Sequence, residues 1–479
     1  MLHKLDRKIV SQLYLASDHI WLPIIVLLAT ALRLFHLGQQ SLWLDESVSF
    51  VRAIAPLQAS IENILAIGIH VPLYFLLLRP VALIGQNETI LRFPSVVFAI
   101  LSIPMMYQVG RLCLGRLAGL LGAFFLALNP FHLWYSQEAR MYTMVMFFVL
   151  GSIYFFLRAT RENTLRYWAG LVIFSTLAYG THYFALQIAL VQFTFILCRF
   201  QILHRVFRRW AICQGLAFLP LIPWLIAYFS QDVVALGIGW IKRPTLLAPL
   251  QTLWAFSSNY RGSLTTIGLL LLGLLILQGF LTHRSAHRDH KLLLVLLWLG
   301  LPILVTWLIS QRRPIYNHRY LIVVLPAYLV LLAYAVVTAP HRIVKWVLTI
   351  ALVAIMASSS IRVYFDPVFL KQDWREAANC VQSSAEPNDV IAVERFEDTP
   401  AFKYYYKGNL ELVTVDSGQG LGEFEKRIEG YERLWLIYHR AASGQSDSNT
   451  KRWLDIHRRD ALEERDLPGL HVILYRLSF

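Results

Sequence analysis

Long apolar stretches recur along the chain up to about residue 362 and are separated by short polar segments. A helix needs roughly 17–25 mostly apolar residues to cross the hydrocarbon core of a bilayer, and eleven stretches approach that length. They cover about residues 20–37, 92–111, 117–134, 141–157, 166–181, 183–200, 210–229, 263–282, 291–310, 320–338 and 343–362. The pattern predicts an α-helical polytopic membrane protein with about 11 transmembrane helices.

One apolar segment, residues 72–85, is too short to belong to this set. It also contains Arg79 and two prolines. We therefore predict that it lies along the outer membrane interface as an interfacial helix and does not cross. A crossing here would reverse the orientation of every later loop.

After residue 365 the pattern changes to short strand-like runs that alternate with helix-like stretches. The strand-like runs are near residues 390–393, 410–415, 434–438 and 472–475. This alternation predicts a small soluble α/β domain at residues 366–479, outside the membrane. Residues 1–365 would then form the transmembrane domain, with a catalytic first external loop at residues 39–91.

Basic residues collect in every second loop between the predicted spans. These loops contain Arg111 and Arg116; Arg158, Arg161 and Arg166; Arg199, Arg205, Arg208 and Arg209; Arg284, Arg288 and Lys291; and Arg342 and Lys345. Because Lys and Arg concentrate on the cytoplasmic side, the alternation predicts a cytoplasmic N-terminus and a first span that acts as a signal anchor. The expected location is the inner or plasma membrane, with the active site and C-terminal domain extracytoplasmic.

Composition agrees with this class and removes others. Hydrophobic residues make up 57% of the 479, and the net charge is +14. The tail from Asp366 holds 15 of the 44 basic and 20 of the 30 acidic residues, so the membrane part is strongly basic and the tail acidic. This split follows from membrane topology and does not predict nucleic-acid binding. The four cysteines show no metal-binding spacing, and only Cys380 lies in the tail, so no disulfide is expected there.

Polar residues gather on the predicted outer face, which is where chemistry is expected. They are Asp45, Glu46, Glu62, His70, Glu88, Glu138, Arg140, His182, Asp232, Arg312, Arg313, His318 and Arg319. The adjacent carboxylates Asp45 and Glu46 directly follow the first span. A carboxylate near apolar surface can act as a general base on an acceptor hydroxyl. The alternative is that one of them caps the helix that begins near Ser47.

Several motifs resemble the protein mannosyltransferase and aminoarabinose transferase superfamily, glycosyltransferases with the GT-C fold that use polyprenyl-phosphate sugars. The Asp-Glu pair and the segment Tyr-Ser-Gln-Glu-Ala-Arg-Met-Tyr at 135–142 are the most specific. Further matches are His-Val-Pro-Leu-Tyr at 70–74, Thr-His-Tyr-Phe at 181–184, Arg-Tyr-Leu at 319–321 and Asp-Trp-Arg-Glu-Ala-Ala at 373–378. Val71 departs from the family pattern, which usually has a second proline there.

The resemblance implies an inverting transfer of a sugar from a polyprenyl-phosphate donor to an extracytoplasmic acceptor, which is a glycolipid, polysaccharide or protein. Asp45 is the expected base and Glu46 a second catalytic residue. Arg140 is expected to bind the lipid phosphate, since a guanidinium binds phosphate bidentately. Snorkelling of Arg140, or pairing with Glu138, is the structural alternative. We expect Glu138 to orient Arg140 or the sugar.

The other predicted substrate-binding residues are Arg33, His70, Tyr74, Tyr142, His182 and Arg319. Arg33 lies within the first span and either lines the active site or snorkels. Arg319 either holds the carrier phosphate or belongs to a solvated loop. His70 and His182 are weak metal candidates, because they share no ligand spacing. No cofactor is certain, and a divalent metal stays open.

A polytopic lipid or glycan transporter without transferase activity is the alternative function. Such a protein would usually carry internal repeats or charged residues near the bilayer midplane, which the sequence does not show.

Overall fold

The computed structural model describes residues 20–67, 70–230, 240–259, 290–395, 398–415, 421–439, 448–457 and 460–477. Contacts divide the chain into two compact units. The helical unit comprises Met1–Phe35, Pro56–Leu77 and Arg92–Tyr364; the sheet unit comprises His36–Ala55, Leu78–Leu91 and Phe365–Phe479. The sheet unit therefore includes two parts of the predicted external loop 39–91. The domain boundary predicted between residues 365 and 366 stays a prediction.

Helices make up most of the chain before residue 366. In the described residues they are α1 (Ile20–Leu34), α2 (Leu44–Ile54), α3 (Leu57–Ile67), α4 (Leu73–Ile84), α5 (Glu88–Leu114), α6 (Arg116–Leu128), α7 (Pro130–Ser136), α8 (Tyr142–Glu162), α9 (Leu165–Thr181), α10 (Leu186–Cys198), α11 (Phe200–Phe218), α12 (Ile222–Ser230), α13 (Ala248–Ser258), α14 (His290–Ser310), α15 (Leu325–Thr338) and α16 (Arg342–Phe365). Short 3₁₀ segments lie at Tyr183–Ala185, Leu219–Leu221, His318–Val324 and Pro367–Phe369.

Within the described residues, six helical segments are long and apolar enough to cross a membrane, or seven if α6 and α7 form one bent span. The six are Glu88–Leu114, Tyr142–Glu162, Phe200–Ser230, Lys291–Ser310, His318–Thr338 and Arg342–Phe365. Shorter apolar helices include Ile20–Leu34 and Leu73–Ile84, and the predicted span 263–282 lies outside the described residues. The number of spans, about 11, stays a prediction.

The predicted span 117–134 is broken at Asn129, where α6 and α7 meet at 57°. The Asn129 side chain accepts a hydrogen bond from the His132 amide at 2.9 Å, and Pro130 is the first residue of α7. Both are helix-start signals. The carbonyl of Leu128, exposed by the break, accepts a bond from the Ser360 hydroxyl at 2.7 Å. The chain thus satisfies the backbone groups that a broken membrane helix leaves unpaired.

A buried polar network joins α8, α9, α10 and α11. Gln192 is its centre: it donates to Ser152 at 3.1 Å and accepts from Trp210 at 2.9 Å and Gln214 at 2.8 Å. Tyr179 donates to Gln214 at 2.6 Å. Such interhelical bonds hold apolar helices together where no hydrophobic effect drives their association.

The sheet unit contains a five-stranded mixed sheet in the order β2-β1-β3-β5-β4. The strands are β1 (Asp389–Val393), β2 (Glu411–Thr414), β3 (Arg433–His439), β4 (Asp460–Leu467) and β5 (Leu470–Arg476), and the helices are α17 (Trp374–Ser384), α18 (Thr399–Tyr405), α19 (Leu421–Ile428) and α20 (Asn449–Ile456). Strand β1 is parallel to β2 and β3, whereas β5 is antiparallel to β3 and β4.

Helices cover both faces of the sheet, because alternate residues of the central strands are apolar on each side. Ile391 and Trp435 face one core, which includes Trp374 of α17 and Phe402 of α18. Val390, Leu434 and Ile473 face the other, which includes Phe424 and Leu454. The α/β character predicted for this part is thus present. Strand β4 was missed because its sequence, Asp-Ala-Leu-Glu-Glu-Arg-Asp-Leu, is the charged pattern of a protected edge strand.

Candidate functional site

Arg140 lies in the turn between α7 and α8 and is 5% exposed. Its amide donates to the Glu138 carbonyl at 2.7 Å, and its carbonyl accepts from the Ser95 hydroxyl at 2.9 Å. Ser95 in turn bonds the Tyr74 hydroxyl at 3.2 Å. Tyr74, predicted to bind substrate, is fully buried and helps to fix the backbone that carries Arg140.

Two histidines and a tyrosine lie beside the Arg140 guanidinium. One guanidinium nitrogen is 3.4 Å from Nε2 of His70. The guanidinium carbon is 6.0 Å from the ring centre of Tyr142, whose ring centre is 6.3 Å from that of His182. His70, Arg140, Tyr142 and His182, which the sequence predicts as binding residues, are therefore brought together although they come from three separate segments.

Arg319 contributes a second positive charge to this group. Its guanidinium lies 5.2 Å from the Trp240 ring and 5.5 Å from the Tyr320 ring, and the Tyr320 ring lies 5.2 Å from that of His182. Burial, together with the positive charges of Arg140 and Arg319, lowers the pKa of His182 to about 3. His182 is therefore neutral at physiological pH. We call His70, Arg140, Tyr142, His182 and Arg319 the Arg140 cluster.

The Arg140 cluster has the chemistry of an anion site. Two guanidiniums provide fixed positive charge, and the imidazoles of His70 and His182 can each donate a hydrogen bond. Aromatic rings pack against both guanidiniums and hold them in place. Trp240 and Tyr320 were not among the predicted site residues. Tyr320 lies within the matched Arg-Tyr-Leu motif at 319–321, whereas no motif was found around Trp240.

Two other predicted binding residues, Glu138 and Arg33, are not part of the Arg140 cluster. Glu138 is 1% exposed in the same turn as Arg140. Arg33 is fully buried and donates to the carbonyls of Leu126 and Ala127, each at 3.1 Å, at the end of α6. Its guanidinium is also 2.7 Å from Nδ1 of His132. These contacts give Arg33 a structural function at the break between α6 and α7; its predicted contact with substrate stays a prediction.

In the described part of the chain, no third metal ligand lies beside His70 or His182. There, the one group of three or more His, Cys, Asp or Glu side chains close enough to hold an ion is Glu464, Asp466 and His471, in the sheet unit. The residues of the Arg140 cluster do not form a metal site of ordinary composition.

Asp45 and Glu46 occupy the first turn of α2 in the sheet unit, and the structure gives them different environments. Glu46 is fully buried and pairs with Lys371 at 3.1 Å; its carboxylate also accepts from the Trp43 amide at 3.5 Å. Asp45 is half-buried. Glu46 therefore both caps α2 and neutralises a buried lysine.

Residues after 365 hold the Asp-Glu segment in place within the sheet unit. The Tyr405 hydroxyl is 2.6 Å from the Leu42 amide nitrogen and 2.6 Å from a Glu88 carboxylate oxygen, which also pairs with Arg375. The Ser41 hydroxyl donates to the Gln372 carbonyl at 2.6 Å. Sequence reasoning missed Lys371 and Tyr405, because these partners are more than 300 residues away along the chain. The only sequence motif found near Lys371 was the matched segment at 373–378.

Comparison with known proteins addresses the family. Residues 69–231 match the family model described as dolichyl-phosphate-mannose-protein mannosyltransferase. The chain is similar in structure to ArnT from Cupriavidus metallidurans in the apo state, with a TM-score of 0.61, 12% identity and coverage of 96% of this chain and 98% of ArnT. The search of curated proteins found no match.

Two structures of an archaeal enzyme are similar as well. The oligosaccharyltransferase of Archaeoglobus fulgidus, in complex with Zn and sulfate, has a TM-score of 0.55 and 13% identity over 88% of this chain and 68% of that one. Oligosaccharyltransferase AglB from the same organism, in complex with an inhibitory peptide and a dolichol-phosphate, has a TM-score of 0.53 and 13% identity, covering 88% and 70%.

The chain has the GT-C fold of ArnT, and its residues 69–231 match the protein mannosyltransferase family model. This confirms the resemblance predicted from the Asp-Glu and Gln-Glu-Ala-Arg-Met-Tyr motifs. The fold class is confirmed too: a GT-C protein with several apolar spans and a small C-terminal sheet domain. The apolar spans and the fold are those of a multi-pass membrane protein.

Proposed function

We propose that this protein transfers a sugar from a polyprenyl-phosphate donor to an extracytoplasmic acceptor, with inversion at the anomeric carbon. The observation that carries the proposal is the Arg140 cluster, in which two arginines and two histidines meet among aromatic rings. The similarity to AglB, whose structure holds a dolichol-phosphate, supports a lipid-phosphate donor. The acceptor is a glycolipid, polysaccharide or protein.

In the proposed reaction, Arg140 and Arg319 bind the donor phosphate. Their charges stabilise the phosphate as the anomeric carbon–oxygen bond breaks and its electron pair passes to the leaving polyprenyl phosphate. His70 and the neutral His182 donate hydrogen bonds to phosphate or sugar oxygens. The acceptor oxygen forms the new bond from the opposite side of the anomeric carbon, and its proton passes to Asp45.

Glu46 has a positioning function in this proposal. Its buried ion pair with Lys371 and its bond to the Trp43 amide hold the first turn of α2, and so the backbone of Asp45, in one place. Removing Lys371 would leave a buried carboxylate without its partner, which is costly. No step is assigned to a metal.

The orientation of the reaction follows the alternation of basic loops. Loops rich in Arg and Lys face the cytoplasm under the positive-inside rule. The Arg140 cluster then faces the extracytoplasmic side, and polyprenyl phosphate is released into that leaflet. The donor enters the site laterally from the bilayer.

The test is turnover of a panel of polyprenyl-phosphate sugars by purified protein, measured as polyprenyl phosphate released with and without candidate acceptors. The wild type should turn over one donor, and Asp45→Asn should lose at least about 100-fold in rate. Glu62→Gln is the matched control, because Glu62 is an exposed carboxylate on the same predicted face. Equal rates for wild type and Asp45→Asn, with both folded, would contradict the function assigned to Asp45.

A further inference from the structure

A second group of cations lies at the other end of α8 and has no part in the proposed reaction. A cavity of about 160 Å³ is lined by Arg161, Arg199 and Lys291, with Thr160 and the apolar side chains of Leu112, Leu157, Phe195, Ile202 and Leu203. A cavity needs only about 10–15 Å³ to hold a water molecule, so this one is large enough for a polar head group.

The cavity lies at the ends of four candidate membrane spans. Leu112 is near the end of α5, Arg161 is near the end of α8, Ile202 is in the first turn of α11, and Lys291 is in the first turn of α14. These helices belong to the spans Glu88–Leu114, Tyr142–Glu162, Phe200–Ser230 and Lys291–Ser310. Their ends mark the depth at which a bilayer changes from hydrocarbon to head groups.

The lining combines fixed positive charge with apolar walls. In the described part of the chain, no acidic side chain pairs with Arg161, Arg199 or Lys291, whereas Arg158 and Arg166 nearby both pair with Glu162. The Nε atom of Arg199 is buried and has no hydrogen-bond partner among the described residues. A buried donor of this kind costs free energy unless a ligand accepts from it.

The positive-inside rule explains why basic residues occur in these loops, but it does not explain why three of them line one cavity. The predicted topology assigns all the contributing helix ends to the cytoplasmic face, which agrees with their meeting in one place. A basic cavity between membrane helices at this depth is the kind of site that binds anionic lipid head groups.

We propose that this cavity binds the phosphate of an anionic glycerophospholipid of the cytoplasmic leaflet. Arg161, Arg199 and Lys291 contact the phosphate oxygens, and the acyl chains run along Leu157, Phe195 and Ile202. The site is separate from the Arg140 cluster, since the 21 residues of α8 lie between them.

The experiment measures lipid retained by the purified full-length protein after delipidation, using native mass spectrometry. Phosphatidylglycerol and phosphatidylcholine with identical acyl chains are added in parallel. We expect phosphatidylglycerol to be retained at least about ten-fold better, since each basic residue near an anionic surface contributes roughly 1 kcal/mol, a factor of about five. The triple variant Arg161→Gln, Arg199→Gln, Lys291→Gln should lose this preference.

A second triple variant, Arg205→Gln, Arg208→Gln, Arg342→Gln, removes the same charge from exposed positions that do not line the cavity and should keep the preference. If the first triple variant does not fold, Arg199→Gln is compared with Arg199→Lys, which keeps the charge; only Arg199→Gln should weaken retention. Equal retention of both lipids by the wild type, or an unchanged preference in the folded cavity variant, overturns the proposal. Displacement of phosphatidylglycerol by excess inorganic phosphate would assign the site to free phosphate and overturn it too.

Discussion

The two ends of α8 carry groups of basic residues that differ in every other respect. At the N-terminal end, Arg140 is 5% exposed and lies beside His70, Tyr142 and His182. At the C-terminal end, Arg161 is exposed and shares an apolar cavity with Arg199 and Lys291. With a rise of about 1.5 Å per residue, a 21-residue helix places the two groups about 30 Å apart, close to the hydrocarbon thickness of a bilayer.

This difference shows that an arginine side chain can have two different functions in a membrane protein. An enclosed guanidinium held by aromatic rings is preorganised, so it can stabilise charge that develops during a reaction. A guanidinium at an open cavity between apolar walls attracts a lipid head group but does not orient it tightly. The following predictions test whether this contrast is correct, from the largest expected effect to the smallest.

The largest effect is expected at Arg140. Replacing it by Gln removes a fixed positive charge from the proposed phosphate site, so the rate at saturating donor should fall about 100–1,000-fold. Arg166→Gln, in the first turn of α9 and 71% exposed, should change the rate less than about two-fold. Initial rates of polyprenyl phosphate release measure both. Similar losses of rate in the two variants would contradict the proposed difference between the two ends of α8.

Another buried arginine, Arg33, provides a comparison for Arg140. Arg33 satisfies the Leu126 and Ala127 carbonyls at the helix break, so Arg33→Met should leave buried acceptors unpaired and lower the free energy of unfolding by about 2–3 kcal/mol. Thermal unfolding in detergent provides the measurement. Arg140→Met should lose turnover with a smaller loss of stability. A stable but inactive Arg33→Met protein would instead support the predicted substrate contact of Arg33.

Of these two groups of basic residues, only the Arg140 cluster should contribute to the pH dependence of stability, because the lining of the other cavity contains no histidine. Burial and the neighbouring arginines lower the pKa of His182 to about 3. Below the ordinary pKa of about 6.5, the unfolded chain binds a proton that the folded protein does not, so stability falls as pH decreases. One such group contributes a slope of at most about 1.4 kcal/mol per pH unit.

Unfolding curves of wild type and His182→Asn between pH 5 and 7 test this slope. The variant should show the shallower dependence, because asparagine does not titrate. A steeper or identical slope in the variant would place the titrating group elsewhere.

The smallest expected effect concerns salt. Exposed charges are screened over about 10 Å at 0.1 M salt, whereas buried charges are screened much less. Raising the salt concentration from 0.05 to 0.5 M should therefore weaken phosphatidylglycerol retention by roughly three- to ten-fold and change the donor KM less than two-fold. Parallel titrations of lipid retention and turnover measure the difference. Equal sensitivity would mean that both groups are similarly open to solvent.

Some features of this protein are determined by short stretches of sequence. Apolar runs of membrane-spanning length predict the helical class, and the short motifs around Asp45 and Arg140 predict the GT-C fold. Each of these signals is contained in one short stretch of the chain. The break in the α6–α7 span also had a local signal, since Asn129 followed by Pro130 is a helix start. The apolar pattern alone predicts one continuous span at 117–134, so the prediction of an unbroken helix was wrong there.

Other features depended on residues far apart in the chain, and only the tertiary structure decided them. Arg33 and Arg140 were both predicted to be binding residues, yet Arg33 donates to a helix-end carbonyl 93 residues away and Arg140 lies beside His70. The ion pair between Glu46 and Lys371 joins residues 325 apart, and the basic cavity combines the ends of four candidate spans. Propensity and periodicity are local properties, whereas the partner of a buried charge depends on how whole helices and strands pack.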